Sequence, residues 1–295
     1  WFTWLAPVDS GGIAGYEYRL DDSNWTAVAE ATISLSATEG EHALVVRAID
    51  VAGNVSGITS IDYEVDFTPP TPISGLSYQM DSGVSDADDL TNDSELVLTW
   101  MPSSDANGVW QYQYRVDSGN WVSSADATSV AVSCDEGSHV ISVRAVDHAG
   151  NASAAVSRTV NVDLHGPMVD VFMSEDTGIS SDDGITADDS LEFSWTAVDT
   201  SGIWFYQYAL DGEDWIETSQ SSVSLILSPG DHAFAVRATD NADNTTSAIL
   251  SFRIDITGPT VIAGGGTVAE TIDHIDITFD EEIDPTSLGG SNLSL

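Results

Sequence analysis

The chain has 295 residues, of which 42% are hydrophobic, and it carries 48 acidic residues against seven arginines and no lysine. A formal net charge of −41 excludes the clustered basic surface that nucleic-acid binding requires and argues against docking on anionic lipid. A single cysteine, Cys134, allows neither an intrachain disulfide nor a cysteine-based zinc site, and no stretch reaches the ~18–20 apolar residues that span a membrane.

One sequence pattern occurs three times along the chain. Its copies run from His42 to Asn54, from His139 to Asn151 and from His232 to Asn244, so they begin 97 and then 93 residues apart. Solenoids and propellers repeat every ~20–50 residues, whereas one immunoglobulin-like β-sandwich takes ~100. The period therefore predicts tandem β-sandwich domains, which usually act as spacers or binding surfaces.

Each copy predicts the same succession of short strands. In the second copy, Leu96, Leu98 and Trp100 alternate onto one face, and a strand with Tyr112 and Tyr114 follows. A turn rich in Asp, Ser, Gly and Asn comes next, and a further tryptophan always stands nine residues after the first tyrosine. This constant spacing favours core packing of the repeated tyrosines and tryptophans over a sugar-binding platform.

The next predicted strand carries a histidine at its start and an arginine near its middle in every copy. Residues repeated in three copies are better interpreted as structural than as catalytic. We expect the arginines to lie on the outer sheet face, held by carboxylates or stacked on an aromatic ring. The sequence has no nucleophile elbow, zinc-protease motif or phosphate-binding loop, which indicates that the chain is not an enzyme. The repeated residues are His42, His139, His232, Arg47, Arg144 and Arg237.

An aspartate followed by a proline joins the units, in Asp66–Pro69, Asp163–Pro167 and Asp255–Pro259. Proline prevents the last strand of one domain from continuing into the next sheet. We therefore expect four segments, the first truncated at its start and the last the truncated opening of a divergent Ig-like domain. Their predicted ranges are 1–66, 67–163, 164–255 and 256–295.

The tryptophan strand, the Tyr-x-Tyr strand, the His-x4-Arg-Ala-x-Asp-x-Ala-Gly-Asn hairpin and the Asp-x-Thr-x-Pro linker together resemble the immunoglobulin-like repeats of large bacterial surface proteins. Biofilm-associated proteins and the extender regions of RTX-type adhesins contain such repeats. The pattern departs at His165 in the second linker and at Asp243 in the third hairpin. The resemblance implies an all-β fold of tandem immunoglobulin-like (fibronectin type III-like) sandwiches in an elongated array.

Clustered aspartates predict bound calcium. An acidic loop in the second domain aligns with one in the third, and a sandwich topology would gather this loop, the linker aspartate and two turns of the next domain at one junction. Calcium takes six to eight hard oxygen ligands, which Asp-rich loops supply. The alternative is that these residues are turn formers. The candidate ligands are Asp66, Asp81, Asp86, Asp88, Asp93, Asp105, Asp147, Asn151, Asp163, Asp176, Asp183, Asp188, Asp199, Asp240, Asn244 and Asp255.

These observations favour a non-enzymatic, secreted segment of a bacterial cell-surface protein, in which calcium stiffens a spacer array that projects adhesive or matrix domains. Its partners would be the neighbouring Ig-like domains of the same chain. Three alternatives remain open. One is a carbohydrate-binding module that uses Trp110 and Trp204, and another is an accessory region of a secreted hydrolase. The third is a surface-layer or filament protein that associates with itself.

Overall fold

The computed structural model describes residues 1–79, 82–85, 87–174, 176–178, 180–262 and 278–280. The chain divides into two compact units, one of residues 1–81 and 93–162 and the other of residues 82–92 and 163–295. Every regular element in the described ranges is a β-strand. A helix long and apolar enough to cross a membrane is absent from these ranges. The all-β fold predicted from the sequence is confirmed.

The first repeat contributes six strands to the first unit. Strands β2, β3, β5 and β6 form an antiparallel sheet in the order β3-β2-β5-β6, and β1 pairs with β4. The strands are Phe2–Thr3 (β1), Ile13–Leu20 (β2), Thr26–Val28 (β3), Thr32–Ile33 (β4), Gly40–Asp50 (β5) and Thr59–Val65 (β6).

The second repeat adds two sheets to the first unit, ordered β12-β9-β7 and β11-β10-β13-β14. The two-residue strand β8 belongs to the second unit. The strands are Ser74–Gln79 (β7), Leu90–Thr91 (β8), Glu95–Met101 (β9), Val109–Val116 (β10), Val122–Ser123 (β11), Ser129–Ser133 (β12), Gly137–Asp147 (β13) and Val156–Val162 (β14).

The third repeat forms most of the second unit. Its sheets run β15-β17-β20 and β16-β22-β21-β18-β19, and a short β23-β24 pair follows the third linker. The strands are Met168–Met173 (β15), Ile185–Thr186 (β16), Ser190–Val198 (β17), Ile203–Leu210 (β18), Ile216–Thr218 (β19), Ser222–Ile226 (β20), Gly230–Asp240 (β21), Thr245–Ile254 (β22), Val261–Ile262 (β23) and Thr278–Phe279 (β24).

Each unit has its own aromatic and aliphatic core. In the first unit, Trp100 and Tyr112 are buried beside Leu96, Leu98 and Val143. In the second, Trp195 and the stacked rings of Phe193 and Phe234 occupy the equivalent place. Period-2 alternation is what turns these side chains inward, because every second residue of a strand faces the same side. The predicted core role is confirmed for Trp100, Tyr112 and Trp195, whereas Trp4 of the first repeat is only partly buried.

The second tryptophan of each repeat does not belong to the core, so the prediction for Trp25, Trp121 and Trp215 was wrong. Each indole lies beneath an arginine guanidinium. The distance from the arginine Cζ to the ring centre is 4.0 Å for Arg47 over Trp25, 4.2 Å for Arg144 over Trp121 and 4.5 Å for Arg237 over Trp215. An arginine cannot be buried alone, and an indole face offers it a cation–π contact. The stacking predicted for the arginines is confirmed.

The repeated histidine is held by an aspartate that ends the preceding tyrosine strand. In the second repeat, His139 Nδ1 lies 2.9 Å from Asp117 Oδ2 and Nε2 lies 3.0 Å from the backbone oxygen of Asp135. Asp117 has φ 52° and also accepts the backbone N–H of Val140 at 2.8 Å. Both ring nitrogens face acceptors, so the protonated imidazolium fits this site best. Equivalent pairs join Asp21 to His42 and Asp211 to His232.

These pairs predict a stability maximum in mildly acidic solution. The hydrogen bond to Asp117 raises the pKa of His139. The hydrogen bond from Val140 N–H, followed by that from His139, lowers the pKa of Asp117. The histidine contribution is complete below its unfolded pKa of about 6.5 and is lost as pH rises through the folded value. The aspartate contribution is complete above about 3.9 and is lost as pH falls through its lowered folded value.

In a chelator, the melting temperature is expected to rise between pH 8 and pH 5.5, and His139→Gln is expected to reduce that rise. Replacing the uninvolved, exposed His148 by glutamine is the control and should leave the pH profile unchanged. A His139→Gln profile parallel to that of the unchanged protein would show that the pair contributes nothing to pH-dependent stability.

Candidate metal centres: two aspartate triads

Three aspartates of the first unit come together where the first repeat meets the second. Asp66 follows β6, Asp105 lies in the turn between β9 and β10, and Asp147 is the last residue of β13. One carboxylate oxygen of each lies within 4.8 Å of the others. All three were among the ligands predicted from the sequence, and we call this cluster the first triad.

The second unit contains an equivalent cluster built from the equivalent residues. Asp163 begins the second linker, Asp199 lies in the turn between β17 and β18, and Asp240 is the last residue of β21. Their oxygens again lie within 4.8 Å of one another. We call Asp163, Asp199 and Asp240 the second triad. Because the repeat preserves linker, turn and strand end, the same three positions converge in both units.

Local turns fix the linker and turn aspartates through one carboxylate oxygen each. Oδ1 of Asp105 accepts the backbone N–H of Asn107 at 2.8 Å, and Oδ1 of Asp199 accepts that of Ser201 at 2.7 Å. Asp66 Oδ1 similarly accepts the N–H of Thr68 at 2.9 Å. These are Asx-turns, in which an aspartate side chain accepts the backbone N–H of the second residue after it. Their other oxygens are therefore available for a different partner.

An asparagine ties each linker to each triad. Asn151 Nδ2 donates to the backbone oxygen of Asp66 at 3.0 Å and to Asp147 Oδ2 at 2.9 Å. Asn244 Nδ2 makes the same two bonds, to Asp163 O at 2.8 Å and to Asp240 Oδ2 at 3.1 Å. Both asparagines were predicted as ligands. Their amide nitrogens hold two aspartates of each triad in place, and coordination of an ion by their Oδ1 atoms stays a prediction.

The second triad holds unpartnered buried charge. Asp163 is 4% exposed and Asp240 is fully buried. Oδ2 of Asp163, like Oδ2 of Asp66 in the first triad, is buried without a hydrogen-bond partner among the described residues. Burial raises the pKa of Asp163, and the neighbouring carboxylates of Asp199 and Asp240 act in the same direction. An ionised carboxylate in such a place is destabilising unless something compensates it.

The donor set suits a hard divalent cation. Two carboxylates 4.8 Å apart repel by about 3 kcal/mol at an effective dielectric constant of ~20, and no arginine or histidine in the described part of the chain forms an ion pair with any of the six triad aspartates. All available donors are oxygens, which calcium prefers and which zinc sites rarely use alone. The buried oxygens of Asp66 and Asp163 that have no hydrogen-bond partner among the described residues are positioned so that they could bind such a cation.

The acidic loops do not supply carboxylates to the triads within the described residues. Their aspartates accept backbone N–H groups of their own loops instead: Asp88 from Leu90, Asp93 from Glu95, Asp176 from Gly184, Asp183 from Ile185 and Asp188 from Ser190. These bonds are those of turn formers, whereas Oδ1 of Asp176 is buried without a hydrogen-bond partner among the described residues; a ligand role for these aspartates stays a prediction. Asp81 and Asp86 lie outside the described residues, and Asp255 accepts the N–H and hydroxyl of Thr257.

The first acidic loop nevertheless contributes backbone contacts inside the second unit. Val84 N–H donates to the carbonyl of Asn241 at 3.1 Å, and the carbonyl of Thr91 accepts the N–H of Asp163 at 2.9 Å. Gly83, at φ +135°, lies so near Asn241 that an added Cβ would come within 3.1 Å of its carbonyl oxygen. The loop thus positions Asp163 through its main chain. Composition alone indicated ligands there and missed this role.

Comparison with known proteins agrees with the architecture. The bacterial Ig-like domain matches residues 68–164 and again residues 164–256. Endoglucanase B of Cellulomonas fimi is 27% identical over 99% of this chain and 29% of its own length. Exoglucanase B of the same species is 31% identical over 52% of this chain and 14% of its own length.

Among solved structures, the fibronectin(III)-like modules of Clostridium thermocellum CbhA match with 14% identity over 61% of this chain and 94% of theirs, at a TM-score of 0.34. The chain spans less than a third of the length of either Cellulomonas relative. The two matched segments, 68–164 and 164–256, cover more than half of the 295 residues. This chain belongs to the bacterial Ig-like domain family.

Proposed function

We propose that this chain is a non-catalytic accessory region of a secreted bacterial β-glucan hydrolase, in which calcium-bound aspartate triads hold consecutive Ig-like domains in a fixed relation. The observation that carries the proposal is the alignment of 99% of the chain with 29% of an endoglucanase. The aligned stretch is less than a third of that endoglucanase, so most of the endoglucanase lies outside it. The secreted, extracellular location follows from the same proposal.

Calcium supplies the mechanical part of the proposed role. Each triad joins a linker aspartate to two loops of the domain that follows it in sequence, so a bound ion would convert repulsion between three carboxylates into shared coordination. Binding to the folded state alone stabilises it by mass action. A spacer held in this way would keep a catalytic module at a defined distance from other modules.

The surface-adhesin interpretation rests on the resemblance of the repeats and receives no support from the Cellulomonas relatives. This interpretation predicts different domains elsewhere in the complete protein, because an adhesin needs a distal binding domain and a cell-surface anchor. Spacer domains of both classes can carry the same repeats. The rest of the parent protein therefore distinguishes them.

The test is to express the complete gene product and residues 1–295 separately and to assay both for release of reducing ends from soluble β-glucan. We expect activity in the complete protein and none in residues 1–295. A complete protein that lacks hydrolase activity and carries a surface anchor would overturn the hydrolase assignment in favour of the adhesin. Activity in residues 1–295 alone would contradict the non-catalytic assignment.

A further inference from the structure

A β-bulge occurs at one position in all three repeats. In β18 the pairing with β21 shifts between Ile203 and Phe205, so Trp204 is an extra residue in that strand. The pairing of β10 shifts in the same way around Trp110, and that of β2 around Ala14. Bulges re-aim side chains. In two of the three repeats, the extra residue at the bulge is therefore a tryptophan.

The bulge turns Trp204 toward the outer face of its sheet. The rings of Trp204 and Phe205 lie 4.6 Å apart at 90°, although neighbours in a regular strand point to opposite faces. Tyr206 and Tyr208 pack on the core of the second unit, so Phe205 and Gln207 occupy the other face. Trp204 is 53% exposed and Trp110 is 55% exposed. Half-exposed tryptophan is informative where it belongs to a contiguous patch.

Polar groups continue the same face toward a second aromatic ring. Gln207 Oε1 accepts a hydrogen bond from Arg237 Nε, and the Arg237 guanidinium lies 4.5 Å over Trp215. We call Trp204, Phe205, Gln207, Arg237 and Trp215 the outer strip. It presents the paired rings of Trp204 and Phe205 at one end and the Trp215 indole at the other, with an amide and a guanidinium between them.

The second repeat presents a related strip, and the first does not. Gln113 Oε1 accepts hydrogen bonds from Nε and Nη2 of Arg144. The Arg144 guanidinium carbon lies 4.2 Å from the centre of the Trp121 ring. Trp110 is the extra residue at the bulge. In the first repeat the bulge residue is Ala14, and Glu17 replaces the glutamine and pairs with Arg47 at 2.6 Å. The first repeat therefore lacks the exposed ring and adds a negative charge at the same place.

We propose that the outer strip, with its counterpart around Trp110, binds a neutral β-glucan chain; this inference rests on the proposed function. Aromatic faces stack on the apolar faces of sugar rings, and amide and guanidinium groups bond hydroxyls and fix orientation. The five residues of the strip include no carboxylate, and the exposed Glu217 lies opposite Gln207 on the neighbouring strand β19; a negative charge there disfavours an acidic polymer and leaves an uncharged one unaffected. The net charge of −41 disfavours polyanions such as uronic-acid polymers.

Affinity electrophoresis of the full chain tests the proposal, in native gels that contain hydroxyethylcellulose or, as the anionic counterpart, carboxymethylcellulose, both with saturating calcium. The neutral polymer should retard the unchanged protein and the anionic one should not. Trp110→Ala and Trp204→Ala should each weaken retardation about tenfold, as expected for the loss of one aromatic anchor. The double variant should migrate as in a polymer-free gel.

Trp1→Ala is the matched control, because Trp1 is 90% exposed and lies outside both strips; it should be retarded like the unchanged protein. No retardation of the unchanged protein, equal retardation in the anionic gel, or full retardation of the double variant would each overturn the proposal. Melting the same variants with calcium and with chelator verifies their fold. Calcium-dependent melting without glucan binding refutes this inference alone, whereas hydrolase activity of the complete protein is judged separately.

Discussion

Asp163→Asn is expected to stabilise the protein when calcium is absent and to destabilise it when calcium is saturating. Asp163 is 4% exposed, and its Oδ2 has no hydrogen-bond partner among the described residues. Without an ion, the substitution removes a buried charge that faces two other carboxylates, and such charges cost stability. With an ion, it removes a charged ligand. A residue that served only as a turn former would not give this reversal of sign.

The measurement is thermal unfolding of the full chain and of Asp163→Asn, each in calcium and in excess chelator. At a free calcium concentration of about 100 times Kd, binding stabilises by about 2.7 kcal/mol, which corresponds to about 11–22 °C in the melting temperature of a domain of about 90 residues. We expect Asp163→Asn to lose most of that increase, and sodium at equal ionic strength to produce none of it in either protein.

Asp188→Asn is the control for this experiment, because Asp188 accepts the N–H of Ser190 in an acidic loop and belongs to neither triad. Its response to calcium should equal that of the unchanged protein. If Asp163→Asn responded to calcium as fully as Asp188→Asn, the second triad would not be a calcium site. The raised pKa of Asp163 gives a further sign, since a carboxyl group with a raised folded-state pKa contributes stability as pH falls through that value.

The repeat predicted in part which aspartates meet. Linker, turn and strand end recur with the period, so Asp163, Asp199 and Asp240 were expected at one junction, but so was Asp88, which does not belong to that cluster. The same topology gave the core positions of Trp100 and Trp195. These successes depend on strand order and alternation, and both are properties of the sequence pattern.

The failures concern which face or which atom a side chain uses. Trp121 has the spacing of a core residue, yet the sheet pairing places it under Arg144 on the outer face. The two hydrogen bonds by which the Asn151 amide nitrogen joins Asp66 and Asp147 were not predicted. The partner of His139 lies 22 residues earlier in the chain, at Asp117. None of these contacts follows from periodicity, because each depends on the register of a neighbouring strand.

Asp240→Asn separates the two interpretations of the hairpin aspartates, and it should destabilise the protein both with and without calcium. Asp240 is fully buried and accepts the backbone N–H of Asn244 at 2.9 Å and its side-chain amide at 3.1 Å. Hydrogen bonds to a charged group contribute about 1.5–3 kcal/mol each. Losing their charge-assisted character and placing an amide NH₂ against Asn244 should therefore cost more than the relief of repulsion from Asp163 and Asp199 returns, for a net loss of about 1–2 kcal/mol without calcium. With calcium the loss relative to the unchanged protein should be larger, because Asp240 is also a proposed ligand of the second triad.

Urea unfolding midpoints with and without calcium measure this loss, and Asp243→Asn in the same hairpin is the control. Asp243 is exposed at φ 70°, a conformation that asparagine also tolerates, so its substitution should change stability by less than about 0.5 kcal/mol. Destabilisation of Asp240→Asn in calcium alone would show that the hairpin bonds contribute little. Destabilisation in both conditions, beside the sign reversal at Asp163, would show that the hairpin bonds of Asp240 outweigh the repulsion between the carboxylates of the second triad.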